Sequence, residues 1–276
     1  KLFLVKIAFL ALFYIWIPAE KANGAENQPD NSFIFDKLDL EHKNFLGKKE
    51  WTLKSPKAAY NVNSRFIKAI TPEAIIYKEG KASYKLTSKF ASLLNDGEYI
   101  LLEGNVRILS LDSSNMTLKG GIVHWKTNKS ILEVVHNPVI YKRESAIKSK
   151  AVKLDNRRNI MILKGPTNYQ TVVHNSNINE SFPYSIDAMD AEWNLGDGFI
   201  IAKGPAIGSY YDLETSKIVR IIGTEINGNL NKGFISLINC KYSRPTKTLS
   251  ADKCTWDDNL KLILAEGNAN FNDLNN

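Results

Sequence analysis

The sequence predicts an all-β chain of stacked antiparallel strands, and three observations predict it. From Trp51 onward sustained helical periodicity is absent, and short β-branched and aromatic runs bounded by Asn, Asp, Gly and Pro take its place. These runs share one pattern, a turn signal leading into an extended segment with Gly or Asn at a pivot. Apolar and polar residues alternate about each pivot, so one face is set apart for burial.

The segments are NDGEYILLEGNVRI (95–108), TNKSILEVVHNPVIY (127–141), NRRNIMILKGPTNY (156–169), GDGFIIAKGPAIG (196–208) and DDNLKLILAEGNANF (257–271). Their pivots, Gly104, Asn137, Gly165, Gly204 and Gly267, lie 33, 28, 39 and 63 residues apart. The last interval spans about two repeats, and Asn239 in NKGFISLINCKY (231–242) is the degenerate pivot expected inside it. A glycine weakens a strand unless a bend or a close backbone approach requires it. Recurrence at one place in successive strands predicts such a bend.

Alternation about Gly104 puts Ile100, Leu102, Val106 and Ile108 inward and Glu103, Asn105 and Arg107 outward. Alignment on the pivots adds Val135, Val139 and Tyr141, with Glu133 as an exception, then Met161, Leu163, Thr167 and Tyr169. The later segments add Ile200, Ala202, Ala206 and Gly208, then Ile263, Ala265, Ala269 and Phe271. This face is either a dry core closed by a second sheet or a trough for an apolar ligand, and pattern alone favours the core. Trp193 and Trp256 stand eleven residues before their pivots and Trp125 twelve, so they read as equivalent rung-packing anchors.

The N-terminus reads KLFLVKIAFLALFYIWI, with an unbroken apolar run over 7–17. That length suits a signal peptide better than a full span. Residues 1–25 are therefore expected to form an apolar helix, either a cleaved signal or a retained membrane anchor, and the rest of the chain to be exported. Residues 26–50 are polar and read as a linker, in which 33–46 is either a short amphipathic element or a sticky, loosely packed stretch.

Of 276 residues, 43% are hydrophobic and 24% charged, which excludes a disordered chain. The net charge of +7 is spread out, which suits an ordinary basic surface or attraction to anionic partners; with export, it argues against nucleic acid. Cys240 and Cys254 form no CxxC and read either as a disulfide or as two buried thiols. His42, His124, His136 and His174 are too scattered for a zinc set. Asp187, Asp190, Asp252 and Glu192 lack a partner nucleophile or base, and no GxSxG, HExxH or P-loop occurs, so neither an enzyme nor a cofactor is expected.

Four phrases in order, IIYKEGKASYKLTSKFA (75–91), YILLEGNVRI (99–108), LKGGIVHWKTNKSILEVVHNPVIY (118–141) and SAIKSKAVKLDNRRNIMILKG (145–165), resemble LptC. LptC is the lipopolysaccharide-export component of the wider OstA-like family, which includes LptA and the N-terminal part of LptD. The resemblance implies a twisted β-jellyroll of two facing sheets over 51–175, extended over 176–276 by further OstA-like rungs or a second β unit. It implies a periplasmic bridge that takes lipopolysaccharide from an inner-membrane ABC transporter and passes its acyl chains to an LptA-like partner. On that reading Ile100, Leu102, Val106, Ile108, Val135, Val139, Met161 and Leu163 line a lipid groove. Lys142, Arg143 and Lys164 then form its rim for an acidic head group. The alternative is a passive envelope scaffold or adhesin, a β-solenoid with a closed core.

Overall fold

The computed structural model describes residues 32–112, 115–175, 180–212, 217–243, 247–257 and 262–273; the expected N-terminal helix, signal or anchor lies outside them. Among the described residues no helix is long and apolar enough to cross a membrane.

The strands are β1 (Ser32–Phe35), β2 (Leu38–Lys43), β3 (Lys49–Ser55), β4 (Lys57–Asn61), β5 (Phe66–Ile70), β6 (Glu73–Lys78), β7 (Lys81–Thr87) and β8 (Phe90–Leu94). There follow β9 (Tyr99–Ser110), β10 (Thr117–Lys126), β11 (Ile131–Val135), β12 (Val139–Lys142), β13 (Ser145–Lys148), β14 (Ala151–Asp155), β15 (Ile160–Lys164) and β16 (Thr167–Asn175). The last are β17 (Glu180–Ala188), β18 (Ala191–Asn194), β19 (Phe199–Asp212), β20 (Lys217–Asn229), β21 (Phe234–Ser243), β22 (Lys247–Asp257), β23 (Leu262–Glu266) and β24 (Asn270–Asp273). The expectation of a linker over 26–50 is corrected by β1 and β2, which pair with β4 and β3. Leu38 and Leu40 on β2 pack on the core, and two inward leucines two residues apart are enough to dock a short strand.

The pairings are antiparallel and trace two layers. The first runs β1-β4-β5-β8, the first half of β9, the second half of β10, β11-β14-β15-β18, then halves of β19 to β22, and ends at β23. The second runs β2-β3-β6-β7, the other halves of β9 and β10, β12-β13-β16-β17, the other halves of β19 to β22, and ends at β24. Each rung thus crosses from one layer to the other once.

The pivots are these crossings. Tyr99–Glu103 of β9 pairs with β8 and Arg107–Ser110 pairs with β7; between them Gly104 and Asn105 have φ of 78° and 51°. Gly165 has φ of 80°, Asn239 of 50°, and Gly267 and Asn268 of 68° and 41°. Left-handed backbone favours Gly, with Asn the next most tolerant residue, which is why these two types mark the corner. Crowding adds a second reason: a Cβ on Gly165 would lie 2.8 Å from the Lys150 Cβ of the neighbouring rung.

The same geometry corrects one alignment. In the second segment the left-handed pair is His136 and Asn137, at φ 60° and 57°, so His136 and not Asn137 is the counterpart of Gly104. The inward residues are Leu132, Val134, Pro138 and Ile140. Val135, Val139 and Tyr141 face outward, and Glu133, the apparent exception, belongs with them. A one-residue slip exchanges the two faces of a strand.

Successive registers join into two apolar rows. Across the first layer run Phe33, Tyr60, Ile67, Leu93, Ile100, Trp125, Leu132, Leu154, Met161, Trp193, Ile200, Gly228, Ile235, Trp256 and Ile263. Across the second run Leu40, Leu53, Ala74, Leu86, Ile108, Leu118, Ile140, Ile147, Tyr169, Ile186, Gly208, Ile221, Tyr242, Leu249 and Phe271. The central members are buried, and each large one contributes about 1.5–3 kcal/mol. Burial relaxes at the ends, where Phe33 is 60% and Phe271 58% exposed.

Candidate functional site: the interior of the roll and its mouth

The two layers meet through their inward rows. Trp51 of the second layer packs edge-on against Trp125 of the first, and Tyr184 stacks on Trp256, centroids 6.3 Å apart. Ile100, Leu102, Val106, Ile108, Met161 and Leu163 all lie on these inner faces and are buried by the chain itself. Val135 and Val139 do not join them. Val139 lies between Lys119 and Lys148 on the outer face.

The two long sides of the roll are built differently. On the corner side, backbone bonds tie rung to rung: Thr71 N–H donates to Lys89 C=O at 2.7 Å, Gly121 to His136 at 3.0 Å, Lys150 to Lys164 at 3.1 Å and Asp252 to Gly267 at 2.8 Å. Serines reinforce it, as where the Ser149 hydroxyl donates to Lys164 C=O at 2.9 Å. On the opposite side the hairpin tips of the layers face one another across a mouth. Polar contacts across it among the described residues include three between side chains: Ser83 Oγ to Asn156 Oδ1 at 3.4 Å, Lys142 Nζ to Asn231 Oδ1 at 2.9 Å, and Arg157 to Glu50 at 4.0 Å. A row of backbone bonds resists separation; a few partly solvated side-chain contacts resist it weakly.

The expected rim residues divide between these sides. Lys142 ends β12 on the same face as Ile140 and turns inward, its Nζ 5.0 Å from the centroid of the Trp193 ring. Burial, helped by the nearby Arg143 charge, pulls its pKa below the usual lysine range, while Asp112 opposes. Arg143 is exposed in the two-residue turn between β12 and β13, at φ 52°. Lys164 belongs to the corner side, paired with Asp190 at 3.1 Å. The Gly165 N–H and Lys164 together hold the Asp190 carboxyl below its ordinary range. Asn231, on the loop between β20 and β21, carries no signal in the sequence, because only the fold brings it 89 residues back to Lys142.

Cys240 and Cys254 form a disulfide. Cys240 lies in the half of β21 that belongs to the second layer and Cys254 in the half of β22 that belongs to the first, so the bond joins the layers beside the corner. Ile221, Leu237 and Ala251 surround it in a small separate cluster.

The molecule is a rung-built β-roll of the jellyroll type whose interior holds one large apolar cluster and a smaller separate one around the disulfide. The chain belongs to the LptC-related family of lipopolysaccharide-assembly proteins, whose model matches residues 3–171. That membership makes it a periplasmic component of lipopolysaccharide transport. One solved structure similar to it is that of LptH, the LptA-homologous periplasmic component of the conserved lipopolysaccharide transport device from Pseudomonas aeruginosa. The match covers 56% of this chain and 92% of that one, at 10% identity and a TM-score of 0.27. No curated protein matches the chain.

Proposed function

We propose that the roll shelters the acyl chains of lipopolysaccharide between its two apolar rows while the glycolipid passes from an inner-membrane ABC transporter to an LptA-like partner. The observation that carries the reading is the pair of inward rows, which follow the register through every rung, with glycine at Gly228 in one and Gly208 in the other. Each methylene withdrawn from water is worth about 0.8 kcal/mol, so acyl chains offset the separation of the layers that admits them. The corner acts as the hinge and the mouth as the entry. Ile100, Leu102, Val106, Ile108, Met161 and Leu163 meet the chains when the mouth is open, and residues 176–276 lengthen the same conduit.

Edge strands β1 and β2 at one end, and β23 and β24 at the other, each pair on one side only among the described residues. Unpaired edges with exposed Phe33 or Phe271 suit strand addition by the proteins before and after this one in the bridge.

A closed-core scaffold is the second reading, favoured by the burial of the central rows. Photocrosslinking from neighbouring positions separates the two. Ile200 is on the first row and Ile201, 41% exposed, is on the outer face. A photoreactive residue at 200 should capture lipopolysaccharide in cells and one at 201 should not. Equal capture, or none at either position, favours the scaffold.

A further inference from the structure

We infer that the tip of the β2–β3 hairpin, Asn44 to Lys48, is a bilayer-insertion wedge: Phe45 and Leu46 enter the interface of an anionic lipid membrane, and cations on neighbouring hairpin tips face its charged surface. The inference goes beyond the acyl-chain reading and does not depend on it.

Phe45 is 96% and Leu46 66% exposed. A flexible tip would fold such residues back onto the body. This one is held out by its own hydrogen bonds. The Asn44 Oδ1 accepts from the Leu46 and Lys48 N–H groups, both at 3.0 Å. The Asn44 N–H donates to Lys48 C=O at 2.9 Å, and the Gly47 N–H to Asn44 C=O at 2.9 Å. Gly47, at φ 76°, makes the reversal that these bonds need. The bonds matter in a second way. A backbone group taken out of water without a partner opposes insertion, and the amides of Leu46, Gly47 and Lys48 already have theirs.

The charge behind the tip suits an anionic surface. Arg157 approaches Glu50 of β3 at 4.0 Å and donates to Asn128 C=O at 2.7 Å, which gathers the β2–β3, β10–β11 and β14–β15 tips at the mouth. Those tips carry Lys48, Lys129, Arg157 and Arg158, all exposed. The acids of the hairpin are already engaged: Glu50 faces Arg157 and His42, and Glu41 holds Lys43 and Lys49. Lys48, Lys129 and Arg158 have no ion-pair partner among the described residues.

Apolar groups foremost with cations behind them match the order of chemistry in a bilayer, hydrocarbon beneath anionic head groups. A protein partner is matched less well, since a tip standing clear of the body has no rim to seal water from its anchor residues. The route of the chain agrees. Ser32 pairs with Asn61 at the mouth end of β1, so residues 1–31, with their apolar run over 7–17, join the roll on the side where the tip projects.

The test uses the full chain carrying Phe45→Cys labelled with an environment-sensitive nitrobenzoxadiazole dye. The two native cysteines are joined in a disulfide, so the dye has one site. A control chain carries the dye at Ile222→Cys, 50% exposed on the outer face of the second layer. The vesicles are phosphatidylcholine with or without phosphatidylglycerol. They hold no lipopolysaccharide, so failure here leaves the acyl-chain reading standing. On anionic vesicles the dye at 45 should brighten, shift to the blue and be quenched by shallow spin-labelled lipids, and the dye at 222 should do none of these. Leu46→Ser should raise the vesicle concentration at half-maximal signal about tenfold, the loss of one buried large apolar side chain. Lys48→Gln and Arg158→Gln should each raise it about fivefold on the anionic vesicles. A dye at 45 that stays in water, a dye at 222 that responds equally, or half-points unmoved by these substitutions overturns the wedge. So does a photoreactive residue at 45 that captures a protein in cells in place of phospholipid, which assigns the tip to a protein partner.

Discussion

Trp51 and Trp125 meet edge to face, centroids 5.8 Å apart and planes 70° apart, and they come from strands of opposite layers. Their strands, β3 and β10, are not hydrogen-bonded neighbours, so the layers are held here by side chains alone. Tyr184 and Trp256 also meet from opposite layers, but stacked, with planes 20° apart. A roll joined by backbone on one side and by side chains across its interior has one natural way to open.

One glycine at a hairpin tip and one at the corner give the first prediction. Gly80 and Gly165 both hold left-handed φ, 81° and 80°, but only Gly165 is crowded. Gly80→Ala should cost the backbone strain alone, about 1 kcal/mol. Gly165→Ala must also displace Lys150 and should cost roughly 2–3 kcal/mol in total. Urea unfolding of the two variants measures the difference, and equal costs contradict the crowding of the corner.

Leu132 lies fully buried at the middle of the first row. Leu132→Ala should lower stability by about 2–5 kcal/mol, while Val135→Ala, on the outer face three residues later, should cost much less. Reversal of that order would restore the face assignment expected from the pivots.

The disulfide should stabilise the C-terminal rungs locally. Cys240 and Cys254 are 14 positions apart in the sequence, and closing a loop of that size contributes about 3 kcal/mol on the chain-entropy account. Rolls of stacked rungs open locally, so reduction should speed amide exchange in β21 to β24 and leave β9 to β15 unchanged. Uniform acceleration along the chain argues against a local staple.

Asp190 gives a pH dependence. Its carboxyl is held below the ordinary value of 3.8 in the folded chain, first by the Gly165 N–H and then by Lys164. A depressed folded pKa means that the stabilisation is complete above that value and is lost as pH falls through the folded one. Asp190→Asn should therefore be less stable than wild type at pH 7, with the gap closing progressively below about pH 4. A gap that persists in acid identifies steric strain instead.

Much of this architecture was legible in the sequence because the corner has a chemical signature. Left-handed backbone favours Gly and Asn, so Gly104, Gly165, Asn239 and Gly267 mark crossings. The rung-packing tryptophans were legible for the same reason: fixed distance from a pivot places Trp125, Trp193 and Trp256 on one row. Val135 and Val139 were misplaced because His136 and Asn137 are both left-handed and only the second is of the expected type; Glu133 was the sign of the slip. The strands over 32–43 read only as a short amphipathic element or a sticky stretch of linker, since an edge strand buries few residues. The partners of Lys142 could not be read at all, because Trp193 and Asn231 reach it only after the layers fold over one another.

The central claim is that acyl chains enter by parting the layers at the mouth. Cysteines at Ser83 and Asn156, whose side chains meet across it at 3.4 Å, permit a direct measurement. Joined by a short bis-maleimide, they should block loading of lipopolysaccharide onto the purified chain, while the same cysteines left unjoined should load normally. A joined chain that loads as well as the unjoined one would contradict the account.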